Sequence, residues 1–218
     1  MLGRRPVAGS GSSRGVVAAL AAGYLLGAVP SADLVSRSSR AGPDDIRRVG
    51  SGNPGAANAA DQLGRLRGGV VLLADVAKGV AAGRLGLALG GTAGLQFGAA
   101  AAVVGHCHPP GLPGRRRPGG KGVATSIGQV LVGFPAYFPV DVAVAGLTAA
   151  LVRNRRAMVA NTVASAAWVG CSVLWWRRRW PNLWGPEVGA SLPVASAVSA
   201  LTILDRFARS TPPPGTAS

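Results

Sequence analysis

An all-α, polytopic integral membrane helical bundle of about seven transmembrane helices is the fold class this sequence predicts, and three observations predict it. Charged residues are only 14% of the 218 residues while hydrophobic residues are 48%, against roughly 25% charged in an ordinary soluble domain. Mean hydropathy is +0.31, too high for a basic chain that stays unfolded. The few charges fall in clusters between long uncharged runs, and the net charge of +15 comes from 23 basic against 8 acidic residues.

The uncharged runs give the elements in order: Val16–Ala32, Leu85–Gly105, Gly122–Val140, Val142–Val152, Ala157–Trp176 and Val188–Leu204. Several approach the roughly 20 residues that cross a hydrocarbon core. Gly68–Gly83 is a further apolar run, interrupted only by Asp75 and Lys78. Ala, Gly and Ser dominate these segments, as expected where membrane helices pack backbone to backbone. Arg84 separates the Gly68–Gly83 run from Leu85–Gly105, and Pro135 and Pro139 divide the segment after Gly122. Residues 1–15 read as a disordered N-terminal extension and 210–218 as a disordered tail, leaving 16–209 as a single membrane-embedded domain. The start of the chain imitates a signal peptide, but the later apolar runs favour an uncleaved first helix.

Arginine placement gives an orientation, since cytoplasmic loops carry excess Lys and Arg. Seven spans with the N-terminus outside and the C-terminus cytoplasmic concentrate basic residues on one side better than six do. That predicts a multi-pass protein of the cell inner (plasma) membrane. Attraction of the basic loops to anionic lipid headgroups explains the positive charge. No reading module for nucleic acid accompanies it, so no nucleic-acid partner is expected.

Two glycine-rich loops carry the polar groups. In Gly50-Ser51-Gly52-Asn53-Pro54-Gly55, followed by Asn58, the glycines match G-x-G-x-x-G spacing. No strand or βαβ unit surrounds them, which excludes a dinucleotide site. Glycines still let backbone approach an anion closely, with Ser51, Asn53 and Asn58 as side-chain donors; an ordinary glycine turn is the alternative. In Gly119-Gly120-Lys121-Gly122-Val123-Ala124-Thr125, a lysine opens an apolar helix. A helix N-terminus and an ammonium together suit a phosphate, and Arg115–Arg117 add to the positive field.

Asp75 and Lys78 lie three apart on one helical face, and ionisable groups within a membrane are mutually paired or functional. His106 is a candidate general base or hydrogen-bonding anchor, and His108, beside two prolines, a loop residue. The contiguous His106-Cys107-His108 is poorly spaced for convergent ligation, so no metal site is expected. Cys107 and Cys171 read as small core residues.

These segments together resemble the bacterial PlsY-type acyl-phosphate:glycerol-3-phosphate acyltransferases. The resemblance rests on Tyr24-Leu-Leu-Gly-Ala-Val-Pro30, then Asp45–Asn58, Asp75-Val-Ala-Lys-Gly79, Gly105-His106 and Gly119–Thr125 in that order, and spans about Tyr24 to Gly133. It implies active-site loops on the cytoplasmic side and transfer of a fatty acyl group from acyl phosphate to the 1-hydroxyl of glycerol 3-phosphate, giving lysophosphatidate. It implies no coenzyme A, metal or organic cofactor. The chain itself is expected to be a monomer. By the resemblance Lys121, Ser51 and His106 are the catalytic candidates. Gly50, Ser51, Gly52, Asn53 and Asn58 would hold glycerol 3-phosphate, and Gly119, Gly120, Lys121, Gly122 and Thr125 would hold phosphate. The chain departs from the family where Ala57 precedes Asn58, where Asp61 replaces an expected arginine, and where Leu204-Asp-Arg-Phe-Ala-Arg209 replaces a His-Arg-x-Asn signature. Those departures keep two other readings open: a degenerate homologue that binds a phosphorylated ligand, and a small transporter using Asp75 and Lys78.

Overall fold

The computed structural model describes residues 12–39, 42–111, 118–152 and 156–209. Within them eight helices follow one another: α1 Ser13–Gly27, α2 Ser31–Arg37, α3 Ala56–Leu63, α4 Arg65–Cys107, α5 Val123–Gly133, α6 Phe138–Leu151, α7 Arg156–Arg178 and α8 Ser191–Ala208. Short 3-10 turns lie at Ile46–Arg48 and Pro135–Tyr137. Residues 1–11 and 210–218, expected to be disordered, lie outside the described residues, as do Arg115–Arg117. Helix α1 starts at Ser13, inside the expected extension, because the Ser12 hydroxyl accepts the Gly15 N–H at 3.1 Å and caps the first turn.

Helix α4 is the centre of the molecule. Its 43 residues would reach about 65 Å if straight, roughly twice the hydrocarbon thickness. They do not run straight. Gly90 (φ −135°) and Gly91 (φ 62°, ψ −153°) leave helical geometry, and the second arm folds back along the first. A Cβ on Gly86 would strike the Gly94 carbonyl, one on Gly94 would strike the Gly86 carbonyl, and one on Gly98 would lie 3.0 Å from the Ala82 carbonyl oxygen. The boundary expected at Arg84 is therefore corrected to Gly90–Gly91. Arg84 is an exposed helical residue, whereas the turn needs a positive φ that only glycine adopts without strain.

The same small-residue packing joins the neighbours to α4. Gly23 and Gly27 of α1 sit on the carbonyls of Gly98 and Ala102, and Gly79 of the first arm sits on the Thr125 carbonyl of α5. Backbones this close gain dispersion contact where lipid supplies no hydrophobic drive between helices. Helix α5 is only 11 residues, about 16 Å. It breaks at Phe134 and continues into α6 after a bend of 115°, at the prolines that predicted a division. An aromatic cluster holds that corner: Phe134 stacks on Tyr137 at 5.7 Å and meets the edge of Trp175 at 5.6 Å.

Ser13–Arg37, α4, α7 and α8 each contain a stretch long and apolar enough to cross a membrane, and the bent α5–α6 pair makes a fifth. With both arms of α4 and both limbs of the bent pair counted, seven apolar helical segments form the expected polytopic bundle. Leu25, Leu66, Leu73, Leu151 and Leu201 are among the large side chains on its outer face, where lipid takes the place of water.

Candidate active site

The ends of the helices place the site. At one end of the bundle α1 stops, α2 begins after Pro30, α4 terminates at Cys107, and the Gly119–Gly122 strand of loop passes into α5. Between them lies a cavity of about 380 Å³, lined among others by Lys78, His106, Gly119, Gly120, Asp33, Arg37, Arg47 and Pro54.

Lys78 and His106 come from opposite arms of the α4 hairpin, so the turn at Gly90 brings them together. The Lys78 ammonium lies 2.8 Å from Asp75 Oδ1 and donates to the Val29 carbonyl at 2.8 Å and the Gly27 carbonyl at 3.3 Å. His106 Nδ1 is 3.2 Å from Lys78 Nζ and 3.6 Å from Asp75 Oδ1. All three side chains are at least nine-tenths buried. The ion pair thus closes the break between α1 and α2, whose carbonyls lack helical partners there.

The second glycine loop fits over this floor because it has no side chains at two positions. A Cβ on Gly119 would collide with the His106 carbonyl oxygen, and one on Gly120 with His106 Nε2. Arg206 of α8 anchors the loop from behind, donating from Nη2 to the Gly119 carbonyl at 2.7 Å and from Nε to the Gly120 carbonyl at 3.3 Å. Arg47 anchors its entrance, with Nε to the Pro118 carbonyl at 2.9 Å and Nη1 to Asp33 at 2.6 Å. Lys121 follows immediately. Its ammonium lies 4.5 Å from the centre of the Phe207 ring, a cation–π distance, and outside the cavity lining. Burial, and secondarily the charge of Arg206, hold its pKa below the ordinary lysine value.

The first glycine loop is a closed turn. Gly50 (φ 56°) and Gly52 (φ 68°) take left-handed conformations. The Ser51 N–H donates to Asn58 Oδ1 at 2.9 Å, and Asn58 Nδ2 donates to the carbonyls of Ile46 at 3.0 Å and Val49 at 3.1 Å. Asn58, expected to face substrate, is buried with its amide engaged inside the loop, because the tight turn leaves those backbone groups no other partner. The Gly52 and Gly55 N–H groups also donate within the loop. The side chains of Ser51 and Asn53 remain at least partly exposed. Thr125 is fully buried, and its backbone carbonyl meets Gly79 of α4. Asp61 is exposed on α3 and does not line the cavity.

The structure therefore gathers His106, Lys78, Asp75, Gly119 and Gly120, and leaves Lys121 outside the cavity lining, over Phe207. Arg47, Asp33 and Arg37 line the cavity without having been assigned a role from sequence. Arg47 stood inside Asp45–Asn58, and its position two residues after a carboxylate was the available signal.

A helical membrane protein with a cationic, glycine-lined cavity at one end of its bundle is the class these features define. The description glycerol-3-phosphate acyltransferase belongs to the family model that matches residues 17–209. A glycerol-3-phosphate acyltransferase of Maricaulis maris is 39% identical over 163 residues, covering 74% of this chain and 71% of the relative. Glycerol-3-phosphate acyltransferase 2 of Moorella thermoacetica is 38% identical over 175 residues, covering 80% and 86%. The fold matches crystal structures of PlsY (YgiH), an integral membrane glycerol 3-phosphate acyltransferase. Its glycerol 3-phosphate form superposes with a TM-score of 0.68 at 23% identity over 88% of both chains. Its lysophosphatidic acid form gives 0.66 at 23% identity over 88% and 87%.

This chain belongs to the glycerol-3-phosphate acyltransferase family. It is a multi-pass membrane enzyme of phospholipid biosynthesis, and acyl transfer, the activity expected from its motifs, is the activity of its family.

Proposed function

We propose that the cavity binds glycerol 3-phosphate together with a fatty acyl phosphate, and that the acyl group passes to the 1-hydroxyl to give lysophosphatidate and inorganic phosphate. The observation that carries this reading is the Gly119–Gly120 backbone stretched over His106 between Arg47 and Arg206, with Lys121 next in the chain. Phosphate oxygens suit such a place, where glycine allows close approach and fixed cations face developing negative charge.

The chemistry needs little beyond position and charge. Acyl phosphate is already activated, so holding the hydroxyl oxygen against the acyl carbon in a near-attack arrangement supplies much of the rate. The new ester C–O bond forms as the acyl C–O bond to phosphate breaks, and the hydroxyl proton goes to the departing phosphate. Ser51 and Asn53 orient the glycerol 3-phosphate from the rim, and Lys121 neutralises the phosphate that leaves. A donor and an acceptor that carry their own phosphates require no cofactor. The site end is cytoplasmic by its excess of arginine, and one chain contains every group invoked, in keeping with a monomer.

The test is lysophosphatidate formation by the purified protein in lipid, given palmitoyl phosphate and glycerol 3-phosphate, beside Lys121→Ala. Product from the wild type, with the variant folded and at least a hundredfold slower, is expected. Absence of product from folded wild type would overturn the reading and favour a homologue that binds without turnover.

A further inference from the structure

The contacts of Lys78 settle a question of proton placement at the cavity floor. A lysine ammonium has three N–H donors and accepts nothing. Three acceptors stand in hydrogen-bonding geometry around Nζ: the Val29 carbonyl at 2.8 Å, His106 Nδ1 at 3.2 Å and the Gly27 carbonyl at 3.3 Å, while Asp75 Oδ1 at 2.8 Å is an ion-pair contact. No hydrogen is left over for a substrate. The contact with His106 requires a lone pair on Nδ1, because a hydrogen there would point at the ammonium. Asp75 does not compete for such a hydrogen, since its oxygen is 3.6 Å from Nδ1. The ring proton of a neutral imidazole with Nδ1 bare sits on Nε2.

Nε2 faces Gly120, on the cavity side, where a Cβ would collide with it. His106 lines the cavity, is 9% exposed, and no described residue accepts a hydrogen bond from Nε2. A donor that faces a cavity and has no protein acceptor is open to a ligand oxygen.

We propose that Lys78 is a positioning residue that holds His106 as its Nε2–H tautomer, so that His106 donates a hydrogen bond to a substrate phosphate oxygen and does not act as a base. The ligand half of this proposal rests on the function proposed above; the tautomer half does not. The hydroxyl proton then goes to the departing phosphate, because the imidazole nitrogen facing the substrate already carries hydrogen. The donor's oxygen could belong to glycerol 3-phosphate or to acyl phosphate, and the two are separable by titration.

The experiment is ¹⁵N NMR of histidine-labelled protein in lipid at neutral pH. The chain has only two histidines, and His108→Asn assigns the signals. His106 is expected as the Nε2–H tautomer, with the Nε2–H resonance moving on addition of glycerol 3-phosphate alone or of palmitoyl phosphate alone, whichever supplies the oxygen. Lys78→Met is expected to turn the population toward Nδ1–H, facing Asp75. In the acyl-transfer assay, His106→Gln, whose amide can donate from about the place of Nε2 but cannot act as a base, should keep activity within tenfold. His106→Ala should lose about 10- to 100-fold, the effect of one hydrogen bond to a charged group. An Nδ1–H or doubly protonated His106 in the wild type overturns the proposal. So does a folded His106→Gln as inactive as His106→Ala, or a folded Lys78→Met that keeps the Nε2–H tautomer. If Lys78→Met does not fold, the wild-type spectrum and the Gln–Ala pair still decide. A protein that makes no lysophosphatidate but shows the Nε2–H tautomer would sink the proposed function and leave the role of Lys78 standing.

Discussion

Lys121 shows what one position can and cannot disclose. Its place between Gly120 and Gly122 at the start of an apolar helix marked it for phosphate, but its rest position over Phe207 comes from α8, 86 residues away, and its lowered pKa from burial and secondarily from Arg206. The sign of the pH effect follows. A lysine is charged below its pKa, so the phosphate neutralisation proposed for Lys121 is complete at lower pH and fades as pH rises through that depressed value. Activity should have an alkaline limb below the range of an ordinary lysine, and Lys121→Arg, which stays charged, should move that limb upward; a pH–rate profile of the two proteins checks it. Arg206 stood only inside Leu204–Arg209, because nothing local in the sequence links it to Gly119 and Gly120. Arg206→Met should free the loop and lower kcat/KM by about 10- to 100-fold, the range for charged hydrogen bonds, with little change in thermal stability. Asn58 went the other way. Its amide closes the Gly50 turn, so Asn58→Ala should destabilise by about 1–3 kcal/mol for the buried carbonyls left unpaired, measured as a lower unfolding midpoint.

At the scale of elements, the apolar runs located the helices because six stretches free of charge, and a seventh with only Asp75 and Lys78, have few other ways to satisfy their backbones in lipid. Their junctions were less legible. A charge at Arg84 looked like a loop, yet the chain stays helical to Leu89 and reverses at Gly90–Gly91, since glycine conformation, not polarity, permits the turn. The proline-marked break at Phe134 was readable because proline acts on the backbone directly. The hairpin also explains why glycine recurs at Gly86 and Gly94, where each backbone occupies the space of the other's Cβ. Gly94→Ala should therefore push the arms apart, destabilise the bundle by about 1–3 kcal/mol as overpacking does, and disturb the Lys78–His106 contact that spans the arms. Gly146→Ala in α6, with open space around the position, should be neutral or slightly stabilising through helix propensity. Paired unfolding measurements in one detergent separate the two.

The whole molecule has two unlike ends, and that asymmetry bears on what it does. Arg37, Arg47, Arg48, Arg65, Arg67, Lys121, Arg206 and Arg209 lie at helix ends and loops on the side of the cavity, while Arg14 and Arg177–Arg179 stand with the Gly90–Gly91 turn and the Phe134 corner at the other. A transporter would expose its ionisable residues to both sides in turn. Here Asp75 and Lys78 neutralise each other beside a cavity built from one end of the bundle, which suits a reaction fed from one compartment. By the orientation proposed from the positive-inside bias, that compartment is the cytoplasm. In a chain with Cys107 and Cys171 replaced by alanine, single cysteines at exposed Ser38 and exposed Arg178 report on the two ends. A membrane-impermeant maleimide added to intact cells should label Arg178→Cys and spare Ser38→Cys until the membrane is opened. The reverse pattern would place the cavity outside, where a cytoplasmic acyl phosphate could not reach it, and the proposed donor would have to be abandoned along with the orientation.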